Sequence, residues 1–123
     1  MTASAASKFR NAVADGAHIV IQGGQSGVAG QLTEDIRKHN IRSPENPIMY
    51  INPGSEALEL TGDKCHFYAF RFATNAELRL KALVLAMKEA GDLGPKVFAI
   101  NQNYSWGKDM EAATDAFASI GGY

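Results

Sequence analysis

Three times along this chain a short apolar run leads at once into a polar or glycine-rich loop and then into residues of helical character. The stretches are "HIVIQGGQSG" from His18, "IMYINPGSEA" from Ile48 and "VFAINQNYSWG" from Val97. Strands that alternate with helices in this way predict an α/β fold, a parallel sheet with flanking helices, because parallel neighbours need a crossover and the crossover helix covers the sheet. In such sheets ligands sit beyond the carboxyl ends of the strands. The loops at 22–29, 52–57 and 101–107 therefore form the candidate site.

The rest of the chain fits between these units. The spacing of Ala5, Phe9, Ala12 and Val13 predicts an amphipathic helix from Ser4 to Ala14, closed by Gly16. "HIVIQ" (18–22) reads as a buried strand, and Val28, Leu32 and Ile36 recur every four positions on one face of a helix from Val28 to His39. "NIRSPENP" breaks that helix, "IMYIN" (48–52) is a second strand, and "PGSEALELTG" supplies a turn and a short helix. "HFYAFRF" (66–72) is aromatic and extended. Behind the capping candidates Thr74 and Asn75 comes the helix "AELRLKALVLAMKEAG", whose leucines at 78, 80, 83 and 85, with Val84 and Met87, wrap more than one face and predict burial between layers. "KVFAIN" (96–101) is the next expected strand, and Met110, Ala113, Phe117 and Ile120 stripe a last helix.

Composition narrows the function classes. The 123 residues suffice for one modest core, and 46% hydrophobic with 20% charged residues is the balance of a globular chain, not of a disordered or fibrous one. Lys and Arg number 12 against 13 Asp and Glu, and no basic run occurs, so no electrostatic footprint for nucleic acid or an anionic membrane is present. Cys65 is the one cysteine, no zinc spacing surrounds it, and no metal or other cofactor is expected. His18 and His39 read as a strand start and a solvated helix face. No stretch reaches the roughly 18 apolar residues of a membrane helix, and "MTASAASKFRNAVADG" lacks the apolar centre of a secretory signal.

The loop "QGGQSGVAGQ" (22–31) is the chemically informative one. A dinucleotide fingerprint needs glycines at i, i+2 and i+5, but Gln25 and Ser26 stand two positions after Gly23 and Gly24. A phosphate loop needs Gly-Lys-Ser/Thr, and no lysine lies between Ala14 and Lys38. A receiver-type phosphoacceptor would need an acidic strand end, where Gln22, Asn52 and Asn101 stand instead. Gly24-Gln25-Ser26 approaches a nucleophile elbow but has Val28 in place of the second glycine and no identifiable base, so a hydrolase-like enzyme using Ser26 is the alternative reading. The loop does supply backbone N–H groups and one hydroxyl at a helix start, which suits a carboxylate or carbonyl oxygen. The plainest reading is a connection in which Ser26 caps the helix. With no base, nucleophile or metal constellation at the converging loops, the sequence reads as a binding protein and not an enzyme.

Taken in order, these pieces resemble the type I periplasmic binding proteins, in particular the branched-chain amino acid (leucine/isoleucine/valine) substrate-binding component of ABC transporters. The resemblance rests on an ordered set of features: the strand, Ser-containing small-residue loop and helix at 18–40; I-x-P-G-x-x-x-x-E-L-T at Ile51 to Thr61; Phe70-Arg71; and an Asn-rich loop ending in Trp106-Gly107. It implies two α/β lobes closing over a small-molecule ligand, a membrane permease as partner and a periplasmic location. It implies that residues 1–72 belong to the first lobe, that 73–123 begin the second after a crossover at Phe70 to Asn75, and that the chain is part of a longer protein. By position, Gln25, Ser26 and Gly27 fall where the first lobe meets a ligand carboxylate; Ser55 and Glu56 fall in the second ligand loop; Trp106, with Tyr104 nearby, covers the ligand. Glu56 departs from the small polar residue common there, and an anion beside a ligand carboxylate repels it. The two aromatics fit an apolar or aromatic acid, amide or amino acid. A piece of a two-lobed protein also leaves sheet edges and helix faces uncovered, which predicts self-association.

Overall fold

The computed structural model describes residues 2–121, with side chains from Ala3 to Ala118. The chain runs α1 (Thr2–Ala14), β1 (Ile19–Ile21), α2 (Ser26–Arg42), β2 (Met49–Asn52), a 3-10 turn (Leu58–Leu60), β3 (Ala69–Arg71), α3 (Ala76–Ala90) and α4 (Ser105–Gly121). The three strands form one parallel sheet in the order β1-β2-β3, pairing Val20 with Tyr50 and Tyr50 with Ala69. The expected α/β class and parallel sheet are therefore present, and the aromatic 66–72 segment contributes its third strand.

Side chains alternate across the sheet, so one face carries Val20, Tyr50 and Ala69 and the other carries Ile19, Ile21, Met49, Ile51 and Phe70. The first face is the core side. Phe9 of α1 and Val28, Ala29, Leu32 and Ile36 of α2 pack there on Ile48, Tyr50, Ala57 and Leu60. The second face is open: Ile19 is 55% and Ile21 67% exposed, where the sequence pattern predicted a buried strand. The reason is topological, since both crossover elements lie on the same side and leave β1 as an edge covered on one face.

Two helices end on glycines, α1 at the expected Gly16 and α3 at Gly91. Gly16 (φ 82°) and Gly91 (φ 76°) adopt the left-handed conformation, and the residues after them bond back to Ala12 and Met87, closing α1 and α3 in paired 6→1 and 5→2 hydrogen bonds. At the other end of α3, the Asn75 side chain accepts the Leu78 N–H at 2.7 Å, so Asn75 and not Thr74 is the cap. Entry to β2 is held by Asn40, whose amide donates to the Ile48 carbonyl (2.9 Å) and accepts the Ile48 N–H (2.8 Å).

Three expectations are corrected. Residues 96–101 form no strand; Val97, Phe98 and Ile100 are exposed and pair with neither sheet edge, and without a partner an apolar run this short has no ladder to hold it extended. α3 is not buried between layers: it packs against α4, and Leu78, Leu83 and Leu85 stay exposed because no described residue covers its other side. α2 runs from Ser26 to Arg42, longer than the expected 28–39 at both ends. Ala113 and Phe117 of the α4 stripe are buried, while the Ile120 side chain lies outside the described residues.

Away from the strand ends, His66 has both ring nitrogens engaged. Nε2 bonds the Thr33 carbonyl at 3.1 Å, and Nδ1 accepts the Tyr68 N–H at 3.3 Å. Burial pushes its pKa below the ordinary histidine value, with Arg37 pushing the same way.

Candidate functional site

The carboxyl ends of the parallel strands place the loops after β1 and β2 side by side, and those loops touch through glycines. A Cβ on Gly54 would stand 2.5 Å from the Gly23 carbonyl oxygen, and one on Gly23 would stand 2.5 Å from the Gly54 nitrogen. Only residues without a side chain allow this approach. Asn52, at the end of β2, folds the second loop: its Oδ1 accepts the N–H groups of Gly54 (3.1 Å) and Ser55 (2.7 Å), and its Nδ2 donates to the Ser55 carbonyl (2.8 Å). The buried Ser55 hydroxyl then donates to the Gly24 carbonyl at 2.9 Å, stitching one loop to the other. Underneath, the Tyr50 hydroxyl donates to the Gln22 carbonyl at 2.8 Å, and burial raises the Tyr50 pKa far above its usual value.

The start of α4 docks on the same loops through three side-chain bonds. Asp109 accepts the Leu58 N–H (2.9 Å), Ser105 donates to Glu59 (3.3 Å), and the Trp106 indole donates to Glu56 Oε2 (3.2 Å). The rings of Tyr104 and Trp106 stack with centroids 6.2 Å apart. The glycine after Trp106 is required as well, since a Cβ on Gly107 would collide with the backbone of Gln102. The other oxygen of Glu56 is paired with Arg79 of α3.

Between these parts lies a cavity of about 210 Å³ lined by Gly24, Ser26, Gly54, Glu56, Arg79, Tyr104 and Trp106. Of the residues that sequence reasoning selected, it gathers Ser26, Glu56, Tyr104 and Trp106. Gln25 lines an adjoining open groove with Gln102 and Asn103. Ser55 is buried as the loop stitch, and Gly27 sits in the first turn of α2 with open space around its Cα, so neither lines the cavity. Ser26 does not cap α2: it is the first helical residue, buried, and the cap position belongs to Gln25.

Three lining residues were missed. Gly24 and Gly54 lay inside the chosen loops, where nothing in the sequence says which glycine faces inward. Arg79 lies on a helix whose apolar pattern carries no site signal, and its partner Glu56 is too far along the chain for a local charge pair. Nor is Glu56 the bare anion that the sequence suggested, because a guanidinium and an indole N–H take its two oxygens. No histidine lines the cavity, and among the described residues no group of His, Cys, Asp and Glu could hold a metal ion. A second hollow, about 300 Å³, lies beside His18 and His39 at the opposite, amino-terminal end of the strands, away from where α/β sheets bind ligands.

Known proteins resemble this chain in sequence and in fold. A Leu/Ile/Val-binding protein homolog 4 from Brucella abortus is 53% identical over 119 residues, which is 97% of this chain and 29% of the relative. The Brucella suis homolog 4 matches equally. The crystal structure of a leucine-, isoleucine-, valine-, threonine- and alanine-binding protein from Brucella ovis, in its closed conformation, superposes with a TM-score of 0.90 at 52% identity, covering 99% of this chain and 31% of that one. A periplasmic binding protein from Burkholderia mallei superposes at 0.76 with 25% identity, over 99% of this chain and 30% of that one. The chain thus spans under a third of the length of the relatives it matches. The periplasmic binding protein sequence pattern matches residues 2–123, and with it the chain belongs to the periplasmic binding protein family.

Proposed function

We propose that this chain carries part of the ligand site of a solute-binding protein for ABC-type import, working in the periplasm with a membrane permease. Its ligand is a branched-chain amino acid or a related small apolar or aromatic acid or amide, taken up without chemistry. The observation that carries the reading is the convergence of the Gly24–Ser26 and Gly54–Glu56 loops with Tyr104 and Trp106 around one cavity of about 210 Å³. Backbone donors at the start of α2 suit one polar end of such a ligand, and the aromatic pair suits its apolar end. Identity of 53% to Leu/Ile/Val-binding protein homologs supports the ligand class. Residues 1–72 are assigned to the first lobe and 73–123 to the start of the second. The test is a thermal-shift screen of the protein with leucine, isoleucine, valine, phenylalanine and their amides, followed by analysis of each compound for turnover. Stabilisation without consumption is expected. Consumption that disappears in Ser26→Ala would replace the proposal with the hydrolase reading.

On its own the 123-residue chain self-associates through the open sheet face of Ile19, Ile21, Met49 and Phe70, an apolar patch of the kind that monomers rarely leave in water. Light scattering over a concentration series should show growing mass, and a strictly monomeric species at high concentration would refute this.

A further inference from the structure

The cavity contains one charged side chain that neither sheet loop supplies. Arg79, in the first turn of α3, lines it together with Ser26, Tyr104 and Trp106. Its side chain is 56% exposed, while that of its partner Glu56 is 8% exposed, so the pair is a buried carboxylate holding a guanidinium that opens to the cavity. Both Glu56 oxygens are occupied, Oε1 by Arg79 Nη2 and Oε2 by the Trp106 indole at 3.2 Å. Glu56 has little left with which to repel or attract a ligand. The guanidinium is in the opposite condition. It carries five donors in a planar fork, and among the described residues its one polar partner is a single carboxylate oxygen. Such a group takes a second acceptor without releasing the first, and a carboxylate fits the fork best.

Resting on the ligand-capture reading above, we infer that Arg79 is a specificity-determining residue that pairs directly with a ligand carboxylate and selects acids over the corresponding amides. Glu56 and Trp106 hold the guanidinium in place. The apolar part of the ligand then lies along the rings of Tyr104 and Trp106, in a cavity of about 210 Å³ that has room for one small molecule.

Isothermal titration with two probes, L-leucine and L-leucinamide, tests the assignment on the protein and on Arg79→Gln and Arg79→Lys. The protein prefers leucine. Arg79→Gln lowers that preference about tenfold or more, through leucine affinity alone, and Arg79→Lys, which keeps the charge without the fork, loses only part of it. A leucine-to-leucinamide ratio unchanged in Arg79→Gln overturns the inference while leaving solute capture intact. If Arg79→Gln melts below the assay temperature, Arg79→Lys decides: a ratio equal to that of the unaltered protein overturns it, a reduced ratio supports it. Binding of neither probe by the unaltered protein overturns the inference, and the ligand-capture reading falls with it when isoleucine, valine, phenylalanine and their amides also fail to bind.

Discussion

Gly54→Ala is the substitution for which the structure specifies cause and size most fully. The added Cβ would stand 2.5 Å from the Gly23 carbonyl oxygen, about 1 Å short of the ~3.5 Å at which nonbonded contacts become favourable. The obstacle is backbone on both sides. Gly54 cannot rotate away, because Asn52 holds the N–H groups of Gly54 and Ser55 and the Ser55 carbonyl. Separating the loops also stretches the bond from Ser55 to the Gly24 carbonyl, now 2.9 Å. Overpacking costs about 1–3 kcal/mol, loss of the Ser55 bond adds about 1 kcal/mol, and the stiffer unfolded chain returns about 0.4–1 kcal/mol. The net expectation is a destabilisation of about 1–3 kcal/mol, which at an m-value of roughly 1–3 kcal/mol/M lowers the urea midpoint by on the order of 1 M. Gly27→Ala is the control. Its Cβ meets nothing within 4 Å, and it sits in the first turn of α2. There the exchange should be neutral or stabilise by up to ~1 kcal/mol. Equal urea midpoints for Gly54→Ala and the unaltered chain would refute the close approach of the two loops, as would an equal loss for both variants.

Two further substitutions probe the core side of the sheet. Asn40→Ala removes both hydrogen bonds to the backbone of Ile48, itself 1% exposed, and leaves its N–H and carbonyl buried without partners; a loss of about 2–4 kcal/mol in urea unfolding is expected. His66, with its pKa lowered by burial and by Arg37, is held neutral in the fold. The unfolded chain therefore takes up the proton first as pH falls below about 6.5, and stability should drop between pH 7 and the folded-state pKa and then level off. Melting temperatures across pH 5 to 7.5 check the sign, and His66→Gln should flatten the slope.

Much of the fold is legible in the sequence wherever structure is set locally. The capping glycine 16, Asn75 at the start of α3 and the strand-loop-helix units at 18 and 48 are short-range signals, and each reappears. The readings that failed depended on partners. "KVFAIN" has the composition of a strand, but a strand exists only against a neighbour, and the apolar wrap of α3 does not by itself supply the layers to cover it. For the site, the strand-end rule selected the loops after β1 and β2, which meet at the cavity, while Tyr104 and Trp106 line it from a segment that no strand directly precedes. Within a loop, direction is a matter of tertiary geometry, so Ser55 turned inward as a stitch while Gly54 beside it faced the cavity. Arg79 was invisible for the same reason, because its pairing with Glu56 joins segments that only the fold brings together.

The proposed ligand cavity joins the strand-end loops to the start of α4. An ¹⁵N-¹H correlation spectrum recorded during titration with L-leucine tests it residue by residue. Shifts are expected to concentrate on the amides of Gly24 to Ser26, Gly54 to Glu56 and Tyr104 to Gly107, and on the Trp106 indole N–H that now donates to Glu56. Saturating leucine that leaves these signals unmoved, or that shifts only the apolar groove of Leu80, Val84 and Phe117 between α3 and α4, would contradict it.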